Sequence, residues 1–173
     1  TDEELYDLVL PKGSKQEKAF IRLVVTFVTL VKSSCKSVKE VLKQAKNADD
    51  ERSVFIIKNI FQPVYERYIN ALSDSNQIDF TDAILQATEI CRTSHPVEYD
   101  YIIVDEFQDI SVDRYNFLKV LREGNPPAKL YCVGDDWQSI YRFSGSDMAL
   151  FNQFPEYFGT TEINKIETTY RFG

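Results

Sequence analysis

The sequence predicts a mixed α/β protein: an N-terminal helical part over residues 1–96, then parallel strands with flanking helices over residues 97–173. Three observations carry that expectation. Apolar residues recur at helical spacing from Phe20 to Leu72, two short apolar runs (Tyr101–Val104 and Leu130–Val133) flank one helical stretch, and a His95-Pro96 break separates the two patterns.

The elements follow in order. Phe20, Leu23, Val24, Phe27, Leu30 and Val31 share one face of a 3.6-residue period, and Ser14 with Glu17 has the spacing of a capping box. A short basic helix is expected over Val38–Lys46. Val54, Ile57, Phe61, Val64, Tyr65, Tyr68, Ile69 and Leu72 form the next stripe, in which Pro63 should start a new helix or kink this one. The helical pattern continues from Phe80 to Arg92. Beyond the break, Tyr101–Val104 reads as a buried parallel strand and Ser111 as the cap of a helix through Tyr115, Leu118 and Leu121. That helix stops at Gly124-Asn125-Pro126-Pro127, and Leu130–Val133 is the second buried strand. A helix over Ser146–Phe154 and a last strand over Glu162–Glu167 complete the expected order.

Composition narrows the class. The chain has 43% apolar and 27% charged residues, a globular balance, and no run of about 18 uncharged apolar residues that would cross a membrane. Its acidic start, TDEELYDLVLP, lacks the features of a signal peptide. Cys35, Cys91 and Cys132 are odd in number and widely spaced, and His95 is the single histidine. A disulfide framework or zinc site is therefore not expected, each cysteine reads as a small apolar filler, and the cytoplasm is the expected setting. The net charge of −7 is unevenly spread, because residues 12–46 hold nine Lys/Arg against Glu17 and Glu40. A phosphate-facing surface or a solvated helix face accounts equally for that stretch.

Two constellations carry chemistry. An apolar strand running into Asp105-Glu106-Phe107-Gln108-Asp109 places adjacent acids at its C-terminal edge, where open α/β sheets bind ligands. One such acid can hold Mg²⁺, usually through water, while the other polarises water attacking a γ-phosphate; a solvated turn explains the same letters. The second constellation is Gly134-Asp135-Asp136-Trp137-Gln138-Ser139-Ile140-Tyr141-Arg142-Phe143, which follows the next parallel strand and so opens on the same sheet edge. There polar residues pass into aromatics interleaved with an arginine, suited to stacking on single-stranded bases; an aromatic mini-core is the plainer reading.

DEFQD, GDDWQSIYRFSGSD and TTYRF, in that order, resemble motifs II, III and IV of the UvrD/Rep-like superfamily 1 DNA helicases, closest in flavour to the bacterial helicase IV branch. Ile78-Asp79-Phe80 resembles the short family motif preceding motif II, and the resemblance in order and spacing covers residues 78–173. It implies a partial RecA-like P-loop NTPase fold, with residues 1–96 the helical subdomain inserted in the first motor domain and 97–173 the C-terminal part of that domain. It further implies ATP and Mg²⁺ as cofactors, with Asp105 holding the metal, Glu106 as general base and Gln138 sensing the γ-phosphate. Tyr141 and Phe143 would lie against single-stranded DNA, Tyr170 would stack on adenine, and Arg171 would meet the γ-phosphate. The departures are Phe143, where many relatives have Trp, and Ser144, where some have arginine. No GxxxxGK[ST] phosphate loop occurs among the six glycines.

The resulting expectation is a fragment of a 3′→5′ DNA translocase, acting on single-stranded or 3′-tailed duplex DNA with the remaining motor domains, away from membranes. Alone it should be inactive, and its Leu130–Val133 strand should be a free edge or pair with Glu162–Glu167 or another copy. A non-hydrolysing DNA- or partner-binding module is the alternative. A metal-dependent nuclease cluster of Asp105, Glu106, Asp109 and Asp135 is a third reading, which leaves QSIYRF and TTYRF unexplained.

Overall fold

The computed structural model describes residues 11–94, 98–135, 137, 147–166 and 168. Over these residues the fold is helix-rich, with one small parallel sheet. Helix α1 spans Lys15–Ser33, α2 Val38–Asn47 and α3 Glu51–Ile56; α4 spans Gln62–Asp74 and α5 Phe80–Ser94. Strand β1 (Tyr101–Val104) leads through a 3₁₀ turn (Phe107–Asp109) into α6 (Val112–Gly124) and then β2 (Lys129–Cys132). Two short helices, α7 (Met148–Asn152) and α8 (Phe154–Phe158), follow.

Local chemistry explains the helix starts. Ser14 Oγ accepts from the Glu17 N–H at 3.0 Å, but the expected capping box does not close. The Ser14 N–H is already donated to the Pro11 carbonyl, so the Glu17 carboxylate accepts from Gly13 instead. The full reciprocal box stands at Ser37 and Glu40, which open α2. Between α3 and α4 the chain stays helical through one wide π turn, Ile57–Phe61, which ends two residues before Pro63. The looser turn accommodates a ring that has no N–H to give and that crowds the preceding carbonyls.

The stripe on α1 is rotated from its expected position. Val28, Val31 and Lys32 are buried, while Leu23 and Leu30 are exposed. Lys32 lies on the buried side with its charge paired: its ammonium lies 2.6 Å from Asp79 Oδ2 and 2.6 Å from Asp82 Oδ1. Tyr68 donates to the same Asp79 oxygen at 2.8 Å. Asp79 and Asp82 also cap α5 reciprocally, each accepting from the other's N–H. Lys32 therefore does not belong to a phosphate-facing surface; it clamps α1 to α4 and to the start of α5. Burial alone would depress its pKa, but the hydrogen bonds and charge of the two aspartates outweigh that and raise it.

Two apolar clusters follow. Val31, Val38, Ile57 and Phe61 form the first, with Phe27 stacked on Phe61 at 4.2 Å. The second gathers Ile102, Phe107, Ile110, Leu118, Ala128, Leu150 and Phe158. Helix α5 packs along α6, so the helical half leans on the strand-containing half.

β1 and β2 pair in parallel, with Tyr101 opposite Lys129 and Val104 opposite Cys132. They are not buried on both faces. Ile102, Val104, Leu130 and Cys132 face the second cluster, whereas Tyr101, Ile103 and Tyr131 are 65%, 71% and 59% exposed. Among the described residues, helices cover one face only, and β2 has no neighbour besides β1. The expected last strand is absent from 162–166, a polar stretch whose Ile163 and Ile166 are exposed; Glu167 lies outside the described residues.

The expected helix over Ser146–Phe154 divides at Gln153. Asp147 caps α7 by accepting from Ala149 N–H, and Pro155, lacking an N–H, starts α8 instead of continuing α7. Ser111 does not cap α6 with its side chain. Its hydroxyl donates instead to the buried Asp113 carboxylate, a charge-assisted bond. No helix among the described residues is long and apolar enough to cross a membrane.

Candidate functional site

Parallel pairing brings the C-terminal ends of β1 and β2 together. The ladder extends past the strands, because Val133 N–H donates to Val104 O at 2.9 Å and Phe107 N–H donates to Val133 O at 2.8 Å. Asp105-Glu106 and Gly134-Asp135 consequently share one sheet edge. Phe107 anchors the turn from below: its buried ring lies 5.2 Å from Phe154 and 6.0 Å from Phe158, both edge-on, and 6.3 Å from Phe151. With Phe107 held down, the two residues before it stand out into solvent.

Both acids are exposed. Asp105 Oδ1 accepts from the Glu106 N–H at 2.9 Å. Glu106 has φ +50° and ψ +43°, the left-handed region that a residue with a Cβ rarely visits. That conformation turns the chain sharply between strand and 3₁₀ turn. Strain of this kind is often kept where a side chain must be presented.

Gln108 is the residue that sequence reasoning missed. Its side chain is 1% exposed, with Nε2 donating to Glu106 Oε2 at 2.6 Å and Oε1 accepting from the Asp135 N–H at 2.9 Å. It lies inside DEFQD, but only the pairing of β1 with β2 reveals that it spans both loops. Gly134 makes the space: a Cβ there would sit 2.7 Å from Gln108 Oε1. A polar residue two places after the paired acids, with glycine ending the next strand, was the available signal.

Asp105 and Glu106 suit a hard cation that keeps most of its waters, which needs one or two exposed carboxylates rather than a cage. Among the described residues no group of three or more His, Cys, Asp or Glu could hold a metal. Asp109 Oδ1 is enclosed and has no hydrogen-bond partner among them. The four-acid nuclease cluster is thus not assembled. Asp135 instead turns its Oδ1 to the Trp137 N–H at 3.1 Å, and the Trp137 ring is almost fully exposed.

Gln138, Tyr141, Phe143, Ser144, Tyr170 and Arg171 lie outside the described residues. The cysteines divide. Cys132 packs behind β2, where burial pushes its thiol up to about 12, as suits a filler. Cys35 does not fit that role, because it is exposed at φ +55° after α1 and its sulfur accepts from Asn116 Nδ2.

Comparison with known proteins covers most of the chain. Residues 3–159 match the family described as UvrD/REP helicase N-terminal domain. The chain is similar to DNA helicase IV of Escherichia coli (strain K12), with 43% identity over 114 residues, 65% of this chain and 17% of that protein. It is 33% identical over 117 residues to the ATP-dependent DNA helicase Rep of Buchnera aphidicola, covering 64% of this chain and 18% of that protein. With DNA helicase II of Escherichia coli it shares 30% over 121 residues, 66% of this chain and 16% of that protein. The chain thus spans less than a fifth of the length of these curated relatives.

Proposed function

Because the chain belongs to the UvrD/REP helicase N-terminal domain family, we propose that it is part of an ATP-driven, 3′→5′ DNA translocase of the cytoplasm, taking part in DNA repair or recombination. In this reading β1, α6 and β2 belong to a RecA-like domain over residues 97–173, and residues 1–96 form its inserted helical subdomain. The observation that carries the reading is the shared sheet edge, which presents Asp105 and Glu106 beside the loop that leads into Gln138.

Bound Mg²⁺ would neutralise charge on the phosphate oxygens of ATP. Asp105 would hold it through water, consistent with its exposed carboxylate. Glu106 would accept a proton from the water that attacks the γ-phosphate. Gln138 would sense that phosphate, Tyr170 would stack on adenine, and Arg171 would meet the charge that develops in the transition state. Tyr141 and Phe143 would lie against the bases of single-stranded or 3′-tailed DNA. The phosphate-loop lysine and the second motor domain would come from the rest of a longer protein. The sheet face and edge left open among the described residues support that reading.

The test uses the chain and the full-length gene product that contains it. The chain alone should turn over no ATP. The longer protein should hydrolyse ATP in a DNA-stimulated manner, and Glu106→Gln should lower kcat by about 10³-fold or more, on the scale of losing a catalytic group's proton transfer. Glu106-dependent turnover by the chain alone would overturn the fragment reading. DNA binding by the longer protein without any turnover would favour a non-hydrolysing module.

A further inference from the structure

We propose that Gln108 is a positioning residue that ties the Glu106 carboxylate to the backbone of the loop after β2, so that the placement of this loop sets the placement of the carboxylate. The inference rests on the reading of Glu106 as the general base.

The geometry constrains the amide from both ends. Its carbonyl end must face the Asp135 N–H, because the opposite orientation would set two donors against each other. The amino end is then left facing Glu106 Oε2 at 2.6 Å. Flipping the amide would break both bonds and set its carbonyl against a carboxylate. Burial at 1% exposure leaves water little access to replace either partner.

Backbone features close the remaining freedom. Gln108 follows Phe107, which is fixed in the aromatic cluster and by its bond to Val133 O. Gly134 allows the two loops to approach so closely that the Gln108 N–H would lie 3.0 Å from an added Cβ. The amide therefore cannot follow Glu106 into another position without releasing Asp135 N–H, and the loop cannot shift without pulling on the amide. A displacement of the Asp135 backbone would reach the Glu106 carboxylate through this one side chain. In sequence this loop is followed by Gln138, Tyr141 and Phe143, which the proposed function assigns to phosphate and DNA.

A purely structural role, satisfying the buried Asp135 N–H, is the competing account, and the two are separable. Gln108→Glu keeps the size and the acceptor for Asp135 N–H but puts a carboxyl oxygen where the donor faced Glu106. Gln108→Met keeps approximate size and removes both. In the full-length gene product, supplied with Mg-ATP and single-stranded DNA, positioning predicts a kcat lower by about 10–100-fold for both variants, the scale of a misplaced catalytic group. KM for ATP should stay within about two-fold, since ground-state binding is untouched. Stimulation of turnover by DNA should fall along with kcat.

If Gln108→Glu shows wild-type kcat and stimulation while Glu106→Gln abolishes turnover, the inference fails and the general-base reading stands. A kcat that is unchanged in both Gln108 variants, with thermal stability lowered, assigns the residue a structural role and likewise overturns the inference. If Glu106→Gln leaves turnover intact, the general-base reading fails and takes the inference with it.

Discussion

At Gly134 the missing Cβ has a direct steric meaning, because an added one would lie 2.8 Å from Phe151 Cε2 as well as 2.7 Å from Gln108 Oε1. Neither neighbour is a free side-chain tip. Phe151 packs against the second apolar cluster, and the Gln108 amide is bonded at both ends. Gly134→Ala should therefore destabilise the chain by about 1–3 kcal/mol, the usual cost of overpacking, read as a lower urea midpoint at unchanged m-value. A wild-type midpoint would mean that the two loops separate freely. The residues bearing this contact were only partly legible in the sequence. Asp105 and Glu106 announce themselves by following an apolar strand, whereas Gln108 acquires its role only once β2 delivers the Asp135 N–H beside it.

Among the elements, the Lys32 clamp determines how α1, α4 and α5 meet. Removing the ammonium by Lys32→Met would leave two half-buried aspartates facing each other without a counter-charge, at a cost of about 2–4 kcal/mol. The pH dependence follows from the shifts. For Asp79, burial acts to raise the pKa, but the bonds from Lys32, the Asp82 N–H and Tyr68 outweigh it and hold the carboxyl below its ordinary value. A depressed acid contributes stability above its unfolded pKa and loses it as pH falls through the folded one, so this contribution fades below about pH 4. Lys32 is raised above its ordinary 10.5, so its contribution is full below that value and is lost as pH rises through the folded pKa. The stability gap between wild type and Lys32→Met should be flat from about pH 5 to 9 and narrow in acid. Urea titrations across that range check it; a gap that widens in acid would show that the clamp is not ionic. Tyr68, pushed up to about 12 by burial and the bond to Asp79, stays a neutral donor throughout.

For the molecule as a whole, the sheet is the informative feature. Tyr101, Ile103 and Tyr131 form an apolar face on a sheet whose second strand has an open edge, and nothing among the described residues covers either. An exposed β-branched position exchanges cheaply with another, so Ile103→Thr in the chain alone should cost less than about 0.5 kcal/mol. If the longer protein supplies the covering layer, the same substitution there should cost about 1–3 kcal/mol, that of placing a hydroxyl in a core. Paired unfolding measurements on the two proteins read the difference. Equal small effects would mean that this face stays open in the longer protein and would count against the proposed domain.

The sequence by itself determined that helices precede a strand–helix–strand unit, that paired acids end its first strand, and the family resemblance, because these depend on local period and contiguous motifs. It misplaced what depends on partners. The burial of Lys32 needed Asp79 and Asp82 to arrive from residues far along the chain, and the half-exposure of the strands depended on how many helices cover the sheet. The division of the helix at Gln153 and the lost strand near Glu162 likewise turned on a proline's missing donor and on a missing neighbour. Tertiary structure alone decided that Gln108 joins the two loops. An amide can bridge only what the fold brings to both of its ends, and no spacing within DEFQD encodes the distance to Asp135.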